Sequence, residues 1–549
     1  MDNNYLAELL YPDITETPED VEARFPRRQL PEGAKVTRFA PSPTGFVHFG
    51  GLFPTRVSER LAHQSGGILY LRIEDTDSKR EVEGAEENLI DTLAYYGVKF
   101  DEGAVAGGKD NGIYGPYRQS ERREIYQAFA KELVREGKAY PCFCSEAELD
   151  AARREQEELK VDPGYYGKWA VWRDAPIEKI EEKLKNGEKF VLRLKSTGSV
   201  ERKIKFTDLI KGELEVTEND KDHVLLKSDG IPTYHFAHAV DDHLMGTTHV
   251  VRGEEWLPSL PFHIELFRAL GFKLPKYLHI SQLMKLDENG NKKKLSKRDA
   301  GVDMRFYKEK GYSPKAVVEY VMTLLNSNYE EWRSANPDKS YDEFPFSIKK
   351  MSASGCLFDF DKLNDVSKNT VARMSADEVY TSVLEWAKEY DADFAEKLSR
   401  NPEYSRRILA IGRGGAKPRK DITIWSEVKD YMGFFFDEYF ELRDPLPEGF
   451  DRSEVRDILN EYRNIYNDAD TQDEWFDRIK SLAAAHGFAP ETKLYKKNPE
   501  EYKGHVGDIS MFLRIAVTGR TSSPDMYAVM NILGKDKICK RLSAFADAL

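Results

Sequence analysis

His48 and Gly50 stand one residue apart, directly after the turn Pro41-Ser42-Pro43-Thr44-Gly45. Far along the chain, Lys294 and Lys297 flank a leucine and a serine within Lys293-Lys294-Leu295-Ser296-Lys297-Arg298. The first group reads as a strand that breaks into a Pro/Gly turn and delivers an imidazole at the start of a helix. Helix N-termini carry unpaired N–H groups and the positive end of the helix dipole, so they attract phosphate. An imidazole there can donate to a phosphate oxygen, and the glycine leaves bare backbone against which a ribose or a base can lie. The second group reads as a short basic loop. Ammonium groups on flexible stems can follow a pyrophosphate and neutralise the charge that develops as it leaves. Each segment alone is ordinary, since most basic loops are solvated surface. In this order on an α/β chain they describe a site for ATP.

Such a site needs no side-chain nucleophile. If the second substrate is a carboxylic acid, its own oxygen attacks the α-phosphorus, and the protein supplies positioning and charge stabilisation. Arg38 closes the first strand and Glu74 the second, while Tyr234 and Arg252 open and close a later α/β segment. These places lie at or beside the carboxyl ends of parallel strands, where ligands bind in open α/β sheets. An arginine there suits a carboxylate bidentately, and a glutamate suits an α-ammonium.

The elements that must position these residues are legible in outline. Residues 35–40 alternate and end in a Pro turn, as a buried strand does, and 51–64 read as a helix stopped by Gly66-Gly67. A second strand covers 68–73 and a helix 83–96, ending at Gly97. This β-α-β-α order begins a doubly wound α/β fold of Rossmann type. The pattern changes over 116–230, which reads as an inserted α+β domain, and resumes over 231–290 with a strand at 248–252. Strands are almost absent beyond about residue 310, so the tail reads as all-α. Residues 1–33, rich in Pro and Glu, read as an N-terminal extension.

A chain of 549 residues exceeds one core and predicts several domains. No apolar run approaches the ~20 residues that span a bilayer, and the acidic start Met1-Asp2-Asn3-Asn4 resembles neither a secretory signal nor a transit peptide. A soluble, cytoplasmic protein without membrane association is expected. Four cysteines in 549 residues argue against a disulfide framework. The net charge of −13 speaks against nonspecific DNA binding, yet local basic clusters such as Lys292–Lys294 and Arg413–Lys420 leave room for a nucleic-acid partner.

Seven ordered blocks carry a resemblance: RFAPSPTG at 38–45, LRIEDTD at 71–77, GPYRQSER at 115–122, the long run at 225–257, KLSKR at 294–298, FDFDKL at 358–363 and a tail block from Leu513 to Lys537. From about residue 34 to 549 the sequence resembles the bacterial-type glutamyl-tRNA synthetases, class I enzymes. The resemblance implies ATP-dependent ligation of glutamate to tRNA-Glu, through a glutamyl-adenylate and then transfer to the terminal ribose, with Mg²⁺ accompanying ATP and a monomeric chain. It implies glutamate binding by Arg38, Ala40, Ser42, Glu74, Tyr234 and Arg252. It implies ATP binding by His48, Gly50, Glu255, Trp256 and Lys297, and catalysis by His48, Gly50, Lys294 and Lys297. It implies a catalytic domain in two halves, 34–115 and 231–290, around the acceptor-binding insertion at 116–230. A stem-contact region at 291–372 and an all-helical anticodon-binding domain at 373–549 follow, with Arg419 of Lys417-Pro418-Arg419 as a reader of the anticodon.

The departures are specific. Phe49 replaces a smaller aliphatic residue, and His238 stands where some relatives carry asparagine near the substrate. Cys142 and Cys144 survive from a zinc motif, but Trp169 occupies the place of a further ligand; two thiolates do not complete a tetrahedral site, so no structural zinc is expected. A glutaminyl-type enzyme would carry Pro-Glu-Pro-Asn-Gly in place of Pro41-Ser42-Pro43-Thr44-Gly45 and a β-rich C-terminal region; both features are missing here.

Overall fold

The computed structural model describes residues 2–77, 80, 82–296 and 299–549. It divides into two compact units: Met1–Phe306 with Val321–Asp359, and Tyr307–Tyr320 with Phe360–Leu549.

In the first unit, α1 (Asn3–Leu10) and α2 (Pro18–Ala23) precede β1 (Val36–Phe39), α3 (Phe49–Gln64), β2 (Ile68–Leu71), α4 (Ala85–Tyr95), β3 (Glu102–Val105) and β4 (Lys109–Asn111). β1, β2 and β3 pair in parallel, and β4 closes the edge antiparallel to β3. The expected strands and helices stand within a few residues of their sequence bounds. Apolar runs buried on both faces explain why: Leu69, Tyr70 and Leu71 on β2 are fully covered.

The intervening segment holds α5 (Arg123–Arg135), β5 (Ala139–Cys142), α6 (Glu146–Glu158), α7 (Ile177–Lys185), β6 (Val191–Leu194), β7 (Lys203–Asp208), β8 (Gly212–Thr217) and β9 (Val224–Leu226). Its pairings are all antiparallel: β5–β6–β9 form one sheet and β7–β8 a hairpin. The chain then returns to parallel pairing. After α8 (Tyr234–Leu244) come β10 (His249–Gly253), α9 (Leu260–Ala269) and β11 (Lys276–Ile280), with β10 and β11 parallel and Arg252 in register with His279. The Thr248 N–H donates to the Val36 carbonyl at 3.0 Å, which joins this pair to β1. β12 (Leu283–Leu286) pairs antiparallel with β13 (Lys292–Lys294) and parallel with β14 (Cys356–Leu357).

The hairpin β12–β13 corrects the sequence reading. Lys294 is not part of a loop; it is the last residue of β13 and pairs with Met284. Asp287 accepts from the N–H groups of Asn289 and Asn291, and Gly290 takes φ +79°, a left-handed conformation that glycine adopts without strain. Asn289-Gly290 is a hairpin signal that the density of lysines obscured.

The N-terminal extension is a strap across the first unit. Leu6, Ala7 and Leu10 join the core formed by Ile125, Phe129 and Leu133 of α5. Further on, Arg28 grips Glu102 through two hydrogen bonds of 2.8 and 2.9 Å while its guanidinium lies over Tyr114. The regular elements of the second unit are all helices, from Phe360–Arg373 to Lys535–Ala548, around a large apolar core that includes Trp425, Phe434, Phe512 and Leu542. Among the described residues no helix is long and apolar enough to cross a membrane.

Candidate active site

A cavity of about 430 Å³ opens where β1, the turn after it, and β10 meet α8. Its lining includes Arg38, Ala40, Ser42, Glu74, Tyr234, Arg252 and Trp256. All six residues proposed from sequence for the amino acid are therefore in one place. Thr44 of the Pro/Gly turn, Pro54 and Arg80 also line it, and nothing in the sequence setting of Pro54 or Arg80 distinguished them.

Local structure explains the gathering. Arg38 sits on β1 and Arg252 on β10, so strand geometry aims both. Glu74 lies beyond the end of β2, where its N–H donates to the Pro41 carbonyl at 2.9 Å and fixes it against the Pro/Gly turn. Tyr234 opens α8 rather than ending a strand; its ring stacks parallel to His238 and packs on Trp256 at 4.3 Å. His238 is fully buried behind Tyr234, with Nδ1 2.9 Å from Asp242 and Nε2 2.9 Å from the Tyr277 hydroxyl, so it supports the cavity wall instead of facing the cavity.

The charges are arranged unequally. Asp242 of α8 receives Arg72 at 2.7 Å and Arg38 at 3.2 Å. Although burial opposes it, Arg38, Arg72 and His238 together hold the Asp242 carboxyl well below the usual range. Arg72 also donates to Glu74 at 3.1 Å. Burial nonetheless pushes the Glu74 carboxyl up to about 7, against the pull of Arg72 and Arg38. Arg252 is only 5% exposed, and its Nη2 has no hydrogen-bond partner among the described residues. A cavity lined by both a buried guanidinium and a carboxyl suits a ligand carrying both a carboxylate and an ammonium.

His48 and Gly50 do not line this cavity. His48 is the N-cap of α3 in extended conformation, and a Cβ on Gly50 would meet nothing within 4 Å. The glycine therefore relieves no clash inside the chain; it leaves open surface. Pro54 has no N–H to give to the Gly50 carbonyl one turn back.

The segment that follows the basic motif folds back onto this helix start. The Phe49 N–H donates to the Val302 carbonyl at 2.7 Å, and the Met304 N–H donates to the Val47 carbonyl at 3.2 Å. The Arg305 guanidinium lies 3.8 Å from the Phe46 ring centre. Phe49, fully buried, packs edge-on against Phe358. Lys294 is exposed at the end of β13, and Lys297 lies outside the described residues. Glu255 is exposed in the 3₁₀ turn Glu254–Ser259, with its carboxylate folded over Gly253, where any Cβ would collide with it.

Elsewhere in the first unit, Cys144 lies 3.5 Å from the Tyr165 hydroxyl, and Cys142 is buried beside it. Among the described residues no group of three or more His, Cys, Asp or Glu side chains is placed to hold a metal ion. In the second unit, Arg419 pairs with Asp421 at 2.6 and 3.0 Å and lines a separate cavity of about 320 Å³ with Trp475, Phe476 and Arg514.

The chain is similar to known proteins over nearly its whole length. Residues 35–365 match the family model of class I tRNA synthetases (E and Q), catalytic domain, and 378–546 match an anticodon binding domain. The chain is 52% identical over 546 residues to a glutamate–tRNA ligase of Acetivibrio thermocellus, covering 99% of both chains. It is 46% identical to one of Sorangium cellulosum, covering 96% of this chain and 97% of that one. A crystal structure of a glutamate tRNA ligase from Elizabethkingia meningosepticum, in complex with its amino acid, superposes with a TM-score of 0.74 at 29% identity, covering 94% of this chain and 99% of that chain.

Proposed function

The chain belongs to the class I tRNA synthetases of the glutamate and glutamine branch, and from that premise we propose how its cavity and its two motif segments divide the work. Its activity is the ATP-dependent ligation of glutamate to tRNA for protein synthesis. In our reading, Arg252 receives the side-chain carboxylate of L-glutamate, Glu74 the α-ammonium, and Tyr234 with Trp256 the aliphatic stem. Arg38, Ala40 and Ser42 position the α-carboxylate beside the turn. The observation that carries this is that Arg252, whose buried Nη2 has no hydrogen-bond partner among the described residues, and Glu74 line one cavity.

ATP then lies along the start of α3, with its base and ribose on the open face of Gly50, His48 at a phosphate, and Glu255 and Trp256 at the nucleotide. The glutamate α-carboxylate oxygen bonds to the α-phosphorus as the bond to the bridging oxygen breaks, and pyrophosphate leaves with its charge met by Lys294 and Lys297. The return of residues 302–304 onto 47–49 supports this division, because it joins the segment after the second motif to the first. Mg²⁺ enters with the triphosphate, which suits an ion that keeps its waters and phosphate oxygens. The activated glutamyl group passes to the terminal ribose of tRNA-Glu.

For the larger parts we assign 34–115 and 231–290 to a Rossmann-type catalytic domain, 116–230 to the acceptor end, 291–372 to the stem and 373–549 to the anticodon. The cavity beside Arg419 supports that last role: two guanidiniums and an aromatic pair suit an unstacked base. The protein acts as a cytoplasmic monomer in this scheme. ATP–pyrophosphate exchange with glutamate or glutamine, with and without tRNA, tests the activation step. Exchange supported by glutamine would overturn the assignment. Parallel charging of tRNA-Glu and tRNA-Gln tests the acceptor.

A further inference from the structure

Two buried arginines, Arg38 and Arg252, line the cavity. Arg38 is matched by an acid: it shares Asp242 with the buried Arg72, which also meets Glu74. Arg252 is held differently. Its Nε donates to Nε2 of His279 at 3.0 Å, its Nη1 to Nδ1 of His263 at 3.0 Å, and its plane lies 4.5 Å from the Tyr277 ring centre. Among the described residues it makes no ion pair.

A guanidinium only donates, so both imidazole atoms facing it must carry lone pairs. This fixes the tautomers outward. The Nδ1–H of His279 donates to Asp208 at 2.7 Å, and the Nε2–H of His263 donates to Nδ1 of His235 at 2.8 Å. Asp208 is itself pinned by the N–H groups of Ile210, Lys211 and His279. Burial keeps the rings uncharged: it lowers His235 to about 4, and it also lowers His263 and His279. A carboxylate in either place would hold Arg252 equally well but would cancel its charge. Neutral acceptors hold the group still and leave the full positive charge for the ligand.

We propose that His263 and His279 are positioning residues that present Arg252 as an uncompensated cation, and that this neutral pair makes the cavity demand a substrate whose side chain is anionic. The inference rests on the assignment of Arg252 to the side-chain carboxylate. It adds two residues that touch no substrate and act through Arg252 alone.

The test is ATP–pyrophosphate exchange by the full chain, with tRNA present, comparing glutamate with glutamine. His263→Asp places a carboxylate against Arg252; it should raise KM for glutamate and lower the glutamate-over-glutamine ratio of kcat/KM by about tenfold or more each, while KM for ATP stays within about threefold. His263→Asn, whose amide oxygen stands near the position of Nδ1, should restore both values to within about threefold of wild type. His279→Glu and His279→Gln repeat the comparison from the strand side should the His263→Asp chain fail to fold. An unchanged glutamate KM and ratio in the carboxylate variants, or equal losses for glutamate and ATP, would overturn the proposal. Arg252→Ala in the same assay separates the two layers. If it leaves glutamate KM unmoved, the assignment of Arg252 falls, and the proposal with it. If it raises that KM while the carboxylate variants do not, only the neutral pair falls.

Discussion

Glu74 and Arg252 both line the cavity and set its chemistry, and they fail in different ways. The Glu74 carboxyl, pushed up to about 7 by burial, is protonated in the empty site below that pH and then offers an ammonium no charge. KM for glutamate should therefore rise as pH falls through 7, and Glu74→Gln should flatten that dependence while raising KM throughout; a wild-type KM constant from pH 6 to 8 would contradict it. Arg252→Ala should raise KM for glutamate by about 10²–10³, the scale of losing a buried charged hydrogen-bond partner, with little change for ATP. Lys294→Ala or Lys297→Ala should instead lower the rate of activation by about 10²–10³ and leave tRNA binding nearly intact. Weakened tRNA binding, measured by filter retention, would make either lysine a phosphate contact of the tRNA. Arg38, Glu74 and Arg252 were legible in the sequence because strand ends in an α/β pattern are few. His263 and His279 were not legible, because no spacing links them. Only the β10–β11 register and the packing of α9 bring them to one guanidinium.

At the scale of elements, the return of Val302–Met304 onto the start of α3 had no local signature, since such backbone pairing depends on where β12 and β13 send the chain. The misread lysines of β13 show the opposite case: Asn289-Gly290 was a usable signal and was outweighed by charge. The N-terminal strap was legible only as an extension, since Pro and Glu content says nothing about what a segment covers. Its apolar anchors give a test. Leu6, 2% exposed, packs on α5, and Leu6→Ala should cost about 2–5 kcal/mol in denaturant unfolding of this unit. A cost below about 1 kcal/mol would show that α1 frays before the unit unfolds.

The whole molecule carries a pH signature in its histidines. Burial lowers His223, His235, His238 and His249 each to about 4. Unfolded, they bind protons as pH falls through about 6.5; folded, they do so only near 4. Between those values the unfolded chain holds more protons, so stability falls as pH falls through that window, with Glu74 opposing by at most one proton. Calorimetry should find a falling unfolding midpoint from pH 6.5 to 4, with net uptake of about two or more protons on unfolding near pH 5. A flat midpoint would mean that these rings are accessible. The two-part organisation was legible as a shift from mixed α/β to helix alone. The cavities were not, because a cavity belongs to packing rather than to any run of sequence.

A structure of this chain with L-glutamate bound tests the division of charge most directly. The side-chain carboxylate is expected within hydrogen-bond distance of Nη2 of Arg252, the ammonium at Glu74, and the α-carboxylate turned toward the start of α3. A side-chain carboxylate seated on Arg38 or Arg80, with Nη2 of Arg252 still unpartnered, would contradict it.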